Sequence, residues 1–257
     1  MPIAPNDSAL KRRLDRYFWD NKSAEMEVLQ TALHENFREF YRVAVIGGLV
    51  RDFAREGRAG FRSDVDLVID DSKEKVEALA KLLNATPNRF GGFGYSSGLW
   101  KIDFWALETT WARKHVPIRK LEDLILSTFF DWDAAIYDLW ERRLICPDDY
   151  LERLSTRQLD INLQPNPSPL GNLLRAIRRL VLWQTTPGEK LKRFIDDHLD
   201  EKALHYIQNK EAELYAYSVS GRWNSAVEAK RFLFEEKHLE VRQLELFNAG
   251  FHNYRPR

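Results

Sequence analysis

The clearest hydrophobic pattern in the chain is a short apolar run that ends in two glycines. Residues 43–46 are consecutive and apolar, which is typical of a buried strand. Gly47 and Gly48 end this run, and we expect a short helix to follow at once, with its first turns at residues 49–56. Within residues 63–69, the four residues 64–67 alternate between polar and apolar side chains, which predicts a strand. The pattern therefore predicts a strand, a short helix and a second strand in succession.

Apolar residues at helical spacing predict helices on both sides of this centre. The stripes within residues 8–40 predict two helices with a break near residues 21–23, and another stripe predicts a helix at 71–83. A glycine-rich hairpin at residues 88–98 joins two further extended segments. Beyond the proline-rich stretch at 162–169 the pattern is helical. We therefore expect an α/β (α+β) fold with a mixed sheet of about five strands and helices on one side.

These patterns also predict a division of the chain into three parts. Residues 1–40 form a helical support, residues 41–162 form the domain that contains the sheet, and residues 163–257 form a small helical domain. Three closely spaced prolines between residues 165 and 169 are typical of a linker and place the second boundary there.

Composition indicates an ordinary globular protein without a strong preference for a charged partner. The chain has 257 residues, of which 44% are hydrophobic and 30% are charged, and its formal net charge is +0. An RNA-binding surface would therefore need a local cluster of Lys and Arg, because counterion release depends on clustered cations. The single cysteine, Cys146, excludes an internal disulfide, and the sequence contains no apolar run of membrane-spanning length and no signal peptide. We expect a cytoplasmic protein with no membrane partner.

Candidate chemistry lies at the start of the second strand and in the glycine turn before it. Strand alternation places the carboxylates of Asp64 and Asp66 on one face, where a divalent metal or hydrogen bonds must offset their repulsion. Hard oxygen ligands of this kind favour Mg²⁺. Gly47 and Gly48 let backbone N–H groups approach a ligand, and the helix after them brings a positive end and the Arg51 guanidinium, both suited to phosphate. Each feature alone is more often structural, but together they favour a phosphate-and-metal site.

This combination resembles the head domain of the class II polymerase-β-like nucleotidyltransferases, which include the CCA-adding enzymes and bacterial poly(A) polymerases. Their pattern is Gly-Gly-x-Val-Arg-Asp followed by Asp-x-Asp on the next strand, and it is met here by Gly47, Gly48, Val50, Arg51, Asp52, Asp64 and Asp66. The resemblance covers roughly residues 41–183. It implies transfer of a nucleoside monophosphate from ATP or CTP to an acceptor hydroxyl with the help of a pair of Mg²⁺ ions. An RNA (tRNA-like) 3′ end is the acceptor that it implies.

The resemblance also implies roles for individual residues. Gly47, Gly48 and Arg51 would seat the triphosphate. Asp103, an isolated carboxylate on a later apolar strand, would be the third metal ligand beside the Asp-x-Asp pair. Asp133 would contact the substrate. Arg175 and Arg178 lie three apart on the helix after the linker, which opens the neck-like domain, and they would turn toward the triphosphate.

The match departs from the family in three places. Ser-Thr-Phe at residues 127–129 replaces Arg-Arg-Asp, so two arginines that hold the triphosphate are missing. Asp131 and Asp133 form a second Asp-x-Asp, which is an alternative pair of metal ligands. Residues 184–257 contain no Glu-Asp-x-x-Arg template for reading the base. The acceptor therefore stays open between RNA, a protein hydroxyl and a small molecule. A lapsed enzyme that binds nucleotide or a partner protein is the remaining alternative, and neither oligomeric state nor a partner that completes the site is indicated.

Overall fold

The computed structural model describes residues 2–57 and 64–235 of the chain. The chain divides into two compact units, with the boundary between Ser155 and Thr156. The predicted start of the second strand at residue 63 and the end of the predicted C-terminal domain, residues 236–257, lie outside the described residues. The predicted division at residues 40 and 162 stays a prediction.

The first unit combines α-helices with short 3₁₀ segments. Its helices are α1 (Asp7–Asp15), a π-helical turn (Arg16–Asp20), α2 (Ala24–Phe37), α3 (Gly48–Arg55), α4 (Lys73–Leu82) and α5 (Tyr150–Ser155). Its 3₁₀ segments are Leu107–Thr109, Trp111–Lys114, Leu121–Leu126 and Asp131–Asp133. The break predicted near residues 21–23 is confirmed, because residues 21–23 separate the π-helical turn from α2.

A seven-stranded mixed sheet forms the centre of this unit. Its strands are β1 (Arg42–Ile46), β2 (Val65–Asp70), β3 (Thr86–Pro87), β4 (Phe93–Ser97), β5 (Trp100–Ala106), β6 (Ile136–Asp138) and β7 (Arg143–Ile145). Their order is β3-β4-β5-β2-β1-β6-β7, with β2 and β5 parallel and every other pair antiparallel. The predicted α/β (α+β) class is confirmed. The expected count of about five strands is too low, since strands as short as β3 carry too little pattern to be predicted.

Aromatic residues build the core on one face of this sheet. Phe104 of β5 contacts Phe37 of α2 with 5.5 Å between ring centroids, and Tyr137 of β6 stacks on Phe18 of the π-helical turn at 5.7 Å. Successive side chains on a strand point to opposite faces, so Asp103 projects from the face opposite Phe104. The N-terminal helical segments therefore cover one face, and the candidate metal ligand lies on the other.

An ion-pair network joins β1 to β6 where β1 begins. Asp138 is fully buried and accepts a hydrogen bond of 2.7 Å from Nε of Arg42. Arg42 also donates to Glu122 at 3.0 Å, and Glu122 pairs with Arg143 as well. Burial opposes ionisation of Glu122, but the hydrogen bond from Arg42, a backbone hydrogen bond, the charge of Arg42 and the hydrogen bond from Arg143 outweigh burial and lower the pKa of Glu122 to about 2. The ionised form of Glu122 is therefore more favourable in the folded chain than in the unfolded chain, so its ionisation stabilises the fold.

We expect this glutamate to make the stability of the first unit sensitive to acid. The pKa of Glu122 falls from 4.5 to about 2 on folding, so the stability that it contributes is present above pH 4.5 and is lost as the pH falls toward 2. In Glu122→Gln the urea midpoint should therefore drop less than in the parent between about pH 7 and about pH 3. Glu152→Gln, at an exposed position on α5, is the matched control and should drop like the parent. A parent-like drop in Glu122→Gln would contradict the assignment.

The second unit is mainly helical, as predicted. It contains strands β8 (Gln158–Leu159) and β9 (Thr186–Pro187), which pair in parallel, helices α6 (Pro169–Leu182), α7 (Glu189–His198), α8 (Glu201–Leu214) and α9 (Ala226–Phe234), and a 3₁₀ turn at Ser220–Arg222. Its core includes the buried leucines and isoleucines of α6 and α7. Within the described ranges, every helix is too short or too polar to cross a membrane.

Candidate active site

Strand pairing brings the glycine turn and the aspartate motif to the same end of the sheet. Strands β1 and β2 run antiparallel with Val45 opposite Leu67, so the residues that follow β1 lie beside the residues that precede β2. Gly47 directly follows β1, and Asp64 directly precedes β2. The structure therefore brings together two motifs that are separated by residues 49–63 in the sequence.

Asp66 and Asp103 are direct neighbours on parallel strands. They are paired in the register of β2 and β5, which places both carboxylates on the same face of the sheet. Asp64 is exposed at the same end. Burial raises the pKa of Asp103, the negative charge of Asp64 raises it further, and the positive charge of Lys101 opposes both effects. The structure therefore brings Asp64, Asp66 and Asp103 to the same end of the sheet.

The donor set of these aspartates fits a hard divalent cation. Asp64, Asp66 and Asp103 offer only carboxylate oxygens, which Mg²⁺ prefers. A cation would offset both the burial and the negative charge of Asp64, which together raise the pKa of Asp103. Among residues 2–57 and 64–235, no three His, Cys, Asp or Glu side chains are already gathered closely enough to hold a metal ion. The metal role of these aspartates stays a prediction.

The glycine turn has a backbone conformation that selects glycine. Gly47 has φ of 73°, in the region that side chains rarely adopt, and a Cβ there would meet no atom within 4 Å. The backbone N–H of Gly47 donates to the carbonyl of Ala135 at 3.4 Å, and its carbonyl accepts from the N–H of Arg51 at 3.1 Å. Helix α3 begins at Gly48, and a helix N-terminus carries positive partial charge. The open space above the turn suits an anionic group.

Arg51 is held between two carboxylates of the protein. Its side chain is buried, and it donates to Oδ1 of Asp133 at 2.6 Å and to Oδ1 of Asp52 at 2.9 Å. Burial lowers the pKa of Arg51, but the charges of Asp133 and Asp52 outweigh burial and raise it. The guanidinium therefore links α3 to the 3₁₀ turn at Asp131–Asp133. The predicted contact between Arg51 and a triphosphate stays a prediction.

The second Asp-x-Asp lies in this same turn. Asp133 is partly buried and pairs with Arg51, whereas Asp131 is buried and accepts the backbone N–H of Trp132 at 2.8 Å. Both carboxylates thus have partners within the protein. These contacts favour a structural role for Asp131 over the alternative that the pair binds metal, and they leave the predicted substrate contact of Asp133 as a prediction.

Helix α6 gives its two candidate arginines different surroundings. Arg175 is exposed and donates to Oδ1 of Asn172 at 3.1 Å. Arg178 is buried, pairs with Glu211 of α8, donates to the carbonyl of Tyr217 at 2.9 Å and lies over a tyrosine ring. Their spacing of three residues in the sequence does not indicate this difference. Their predicted contact with the triphosphate stays a prediction.

One residue near the carboxylates was missed by the sequence reasoning. Gly94 lies in β4 directly opposite Asp103, and a Cβ on Gly94 would lie 2.6 Å from Oδ1 of Asp103. The glycine-rich pattern of residues 88–98 predicts a hairpin turn, whereas the structure places Gly94 inside strand β4. A glycine inside a strand is itself a signal of close approach by another group, and this signal could have singled out Gly94.

Comparison with known proteins shows similarity in structure rather than in sequence. No protein-family model matches the chain, and no curated protein matches it significantly. Solved structures do match. A CCA-adding enzyme in complex with CTP is 18% identical with a TM-score of 0.51, and the match covers 99% of this chain and 63% of that one. A tRNA-processing enzyme in apo form I is 17% identical with a TM-score of 0.52, and the match covers 91% and 61%.

A further match is a tRNA nucleotidyltransferase complexed with a primer tRNA and an incoming ATP analogue, at 21% identity and a TM-score of 0.48, covering 88% and 64%. The match spans about three fifths of the length of these solved structures. At sequence identities this low, the structural similarity shows a shared fold and no more. The chain therefore has the fold of the CCA-adding enzymes, and its resemblance to the polymerase-β-like nucleotidyltransferases is confirmed as a resemblance of fold.

Proposed function

We propose that this protein is a Mg²⁺-dependent nucleotidyltransferase that transfers a nucleoside monophosphate from ATP or CTP to an RNA (tRNA-like) 3′ hydroxyl in the cytoplasm. The observation that carries the proposal is the pairing of Asp66 with Asp103 on parallel strands, at the sheet end where the Gly47 turn lies. The shared fold supports it, because one solved structure of that fold is a CCA-adding enzyme with CTP and another is a tRNA-processing enzyme.

The aspartates have a direct part in the proposed reaction. Asp64, Asp66 and Asp103 would hold Mg²⁺, which supplies a Lewis acid for the attacking and leaving oxygens when it is bound. The acceptor hydroxyl oxygen forms a bond to the α-phosphorus as the bond from that phosphorus to pyrophosphate breaks. The hydroxyl proton passes to a carboxylate of the site, and pyrophosphate leaves. The three carboxylates therefore orient the reactants, and one of them takes up the proton.

The glycine turn and its neighbours would bind the triphosphate. The backbone of Gly47 and Gly48 lies at the positive end of α3, where a phosphate oxygen is stabilised. Arg51 would reach the triphosphate by exchanging one of its carboxylate partners for phosphate, and Asp133, released from Arg51, would then contact the substrate. Arg175, which is exposed, and Arg178 are the predicted contacts from the second unit.

A second candidate acceptor is a protein hydroxyl or a small molecule. The formal net charge of +0 and the replacement of Arg-Arg-Asp by residues 127–129 favour it, because a long RNA requires clustered cations. The chemistry at the α-phosphorus would be the same. The two candidates therefore differ in the acceptor and not in the site.

Labelled nucleotides separate these acceptors. We would incubate the purified protein with Mg²⁺ and each α-labelled NTP in turn, alone and with total RNA, and find whether label enters RNA, protein or a small product. We expect label on RNA from ATP or CTP, with Asp64→Ala and Asp66→Ala inactive but folded, since losing one of two like charges relieves repulsion. Asp71→Ala, at a residue that pairs with Lys75, is the matched control and should stay active. Retained transfer in Asp66→Ala would refute the metal site, and no label in any fraction would favour a lapsed enzyme.

A further inference from the structure

We infer that Gly94 is a positioning residue for Asp103, because its missing side chain leaves the space that the Asp103 carboxylate occupies. This inference rests on the proposed function, in which Asp103 is a metal ligand. Strands β4 and β5 are antiparallel, and Gly94 is the direct partner of Asp103 in their register. A Cβ at residue 94 would lie 2.6 Å from Oδ1 and 3.8 Å from Cγ of Asp103. Such an approach is shorter than a van der Waals contact.

Backbone conformation does not account for glycine at this position. The neighbouring glycines Gly91 and Gly98 have φ of 87° and 58°, where glycine is favoured, whereas Gly94 lies in a regular strand with negative φ. Glycine weakens the interior of a strand, so alanine would suit the backbone better. The space required by Asp103 is therefore the physical reason for a glycine at residue 94.

The clash would fall on the candidate ligand alone. Beyond the chain neighbours of Gly94, the two atoms that a Cβ would meet within 4 Å both belong to Asp103. A side-chain carboxylate moves easily by rotation, so a methyl group at residue 94 would displace it without disturbing the sheet. The displaced carboxylate would lose its position beside Asp66, on which a shared cation depends. Gly94→Ala should therefore damage metal binding while leaving the fold intact.

Gly92 supplies a matched control of the opposite character. A Cβ at Gly92 would lie 3.1 Å from Nδ2 of Asn88, 3.1 Å from the backbone oxygen of Phe104 and 3.3 Å from Cβ of Trp105, so it would press on backbone and packing atoms. Alanine at residue 92 should lower the melting temperature and leave metal affinity in the folded protein unchanged. The pair of variants separates positioning of the carboxylate from general damage to the β4–β5 hairpin.

The test measures Mn²⁺ binding to the 257-residue chain without nucleotide, by calorimetry or electron paramagnetic resonance, together with the melting temperature without metal. We expect Gly94→Ala to weaken Mn²⁺ binding by about tenfold or more, as loss of a group that orients a ligand does, with the melting temperature level or slightly raised. In the Asp103→Asn background, Gly94→Ala should cause no further loss, because the group that it displaces is already removed.

Three other results would contradict either the metal site or the positioning role of Gly94. If Asp103→Asn itself leaves Mn²⁺ affinity unchanged, the proposed metal site is wrong. If Asp103→Asn weakens binding and Gly94→Ala does not, the positioning role is wrong and the metal site stands. If the loss in Gly94→Ala persists in full in the Asp103→Asn background, or is accompanied by a melting temperature as low as that of Gly92→Ala, Gly94 acts on the hairpin and not through Asp103.

Discussion

Asp103→Asn is expected to lower kcat for nucleotidyl transfer by about 10³-fold, since a bound metal contributes several kcal/mol to the transition state. Its melting temperature should stay level or rise. Burial and the charge of Asp64 raise the pKa of Asp103 above its unfolded value of 3.8. A carboxyl whose pKa rises on folding lowers the stability of the protein once the pH is high enough for the group to ionise. The amide of asparagine carries no charge, so it removes this destabilisation at neutral pH. Activity and stability should therefore move independently.

Asp70→Asn is the matched control for this prediction. Asp70 also lies on β2, and burial also raises its pKa. Asp66 lies near the start of β2, however, whereas Asp70 is its last residue and pairs in register with Arg42 of β1. Its amide variant should keep the transfer rate of the parent. Both variants would be measured for transfer of labelled nucleotide and for thermal unfolding with and without Mg²⁺ and NTP.

A structural role of Asp103 would give the opposite result. If its carboxylate served only as a charged hydrogen-bond acceptor within the sheet, the amide would cost about 1.5–3 kcal/mol and lower the melting temperature by several degrees. Activity would then fall only in proportion to unfolding. A stable Asp103→Asn protein that transfers nucleotide at near the parent rate would contradict the three-carboxylate site and most of the proposed function.

Local sequence patterns were sufficient to predict strands β1 and β2 and the glycine turn between them, which form the first part of this site. Residues 43–46 are apolar because β1 is a central strand, buried throughout between β2 and β6. Alternation along β2 correctly placed Asp66 on the face opposite Leu67. Both signals depend only on neighbours in the sequence, and the structure confirms the strands that they predicted.

Long-range pairings could not be obtained from such patterns. The approach of Asp103 to Asp66 depends on parallel pairing between β2 and β5, and the sequence reasoning reached it only through the family resemblance. The ion pair between Arg51 and Asp133 joins residues 82 positions apart. A guanidinium after a glycine turn has the same local pattern whether its partner is phosphate or a distant carboxylate. Distances of this kind are set by tertiary packing, which the periodicity of a single segment does not encode.

Glu211 shows the same limit in the second unit. This carboxylate is fully buried and accepts hydrogen bonds from the N–H of Ser220 at 2.7 Å, from its hydroxyl at 2.6 Å and from the hydroxyl of Ser218 at 3.1 Å. Burial raises the pKa of Glu211, but the hydrogen bonds of Ser220 and the charge of Arg178 outweigh burial and lower it. The sequence offers only a glutamate on a charged helix, with no sign that it is the buried partner of Arg178.

Arg178→Met is therefore expected to destabilise the second unit by about 3–5 kcal/mol, because it leaves the Glu211 carboxylate buried without its cation. The deficit should be largest above pH 4.5, the unfolded value of Glu211, and should shrink as the pH falls through the lower folded pKa and the carboxylate becomes neutral. Adding Glu211→Gln should restore part of the loss, since removing both charges costs less than removing one. Urea unfolding of the full chain measures all of these effects.

Arg175→Ala is the matched control on the same helix. Arg175 is exposed, so its removal should leave the free energy of unfolding within about 0.5 kcal/mol of the parent. If Arg175 binds the triphosphate as predicted, this variant should raise the KM for NTP more than it lowers kcat, since such a contact acts in the ground state as well. The KM and the free energy of unfolding of Arg178→Met together decide the role of Arg178. Parent stability with a raised KM would make Arg178 a triphosphate contact. Lower stability with an unchanged KM in the folded fraction would make it the structural partner of Glu211.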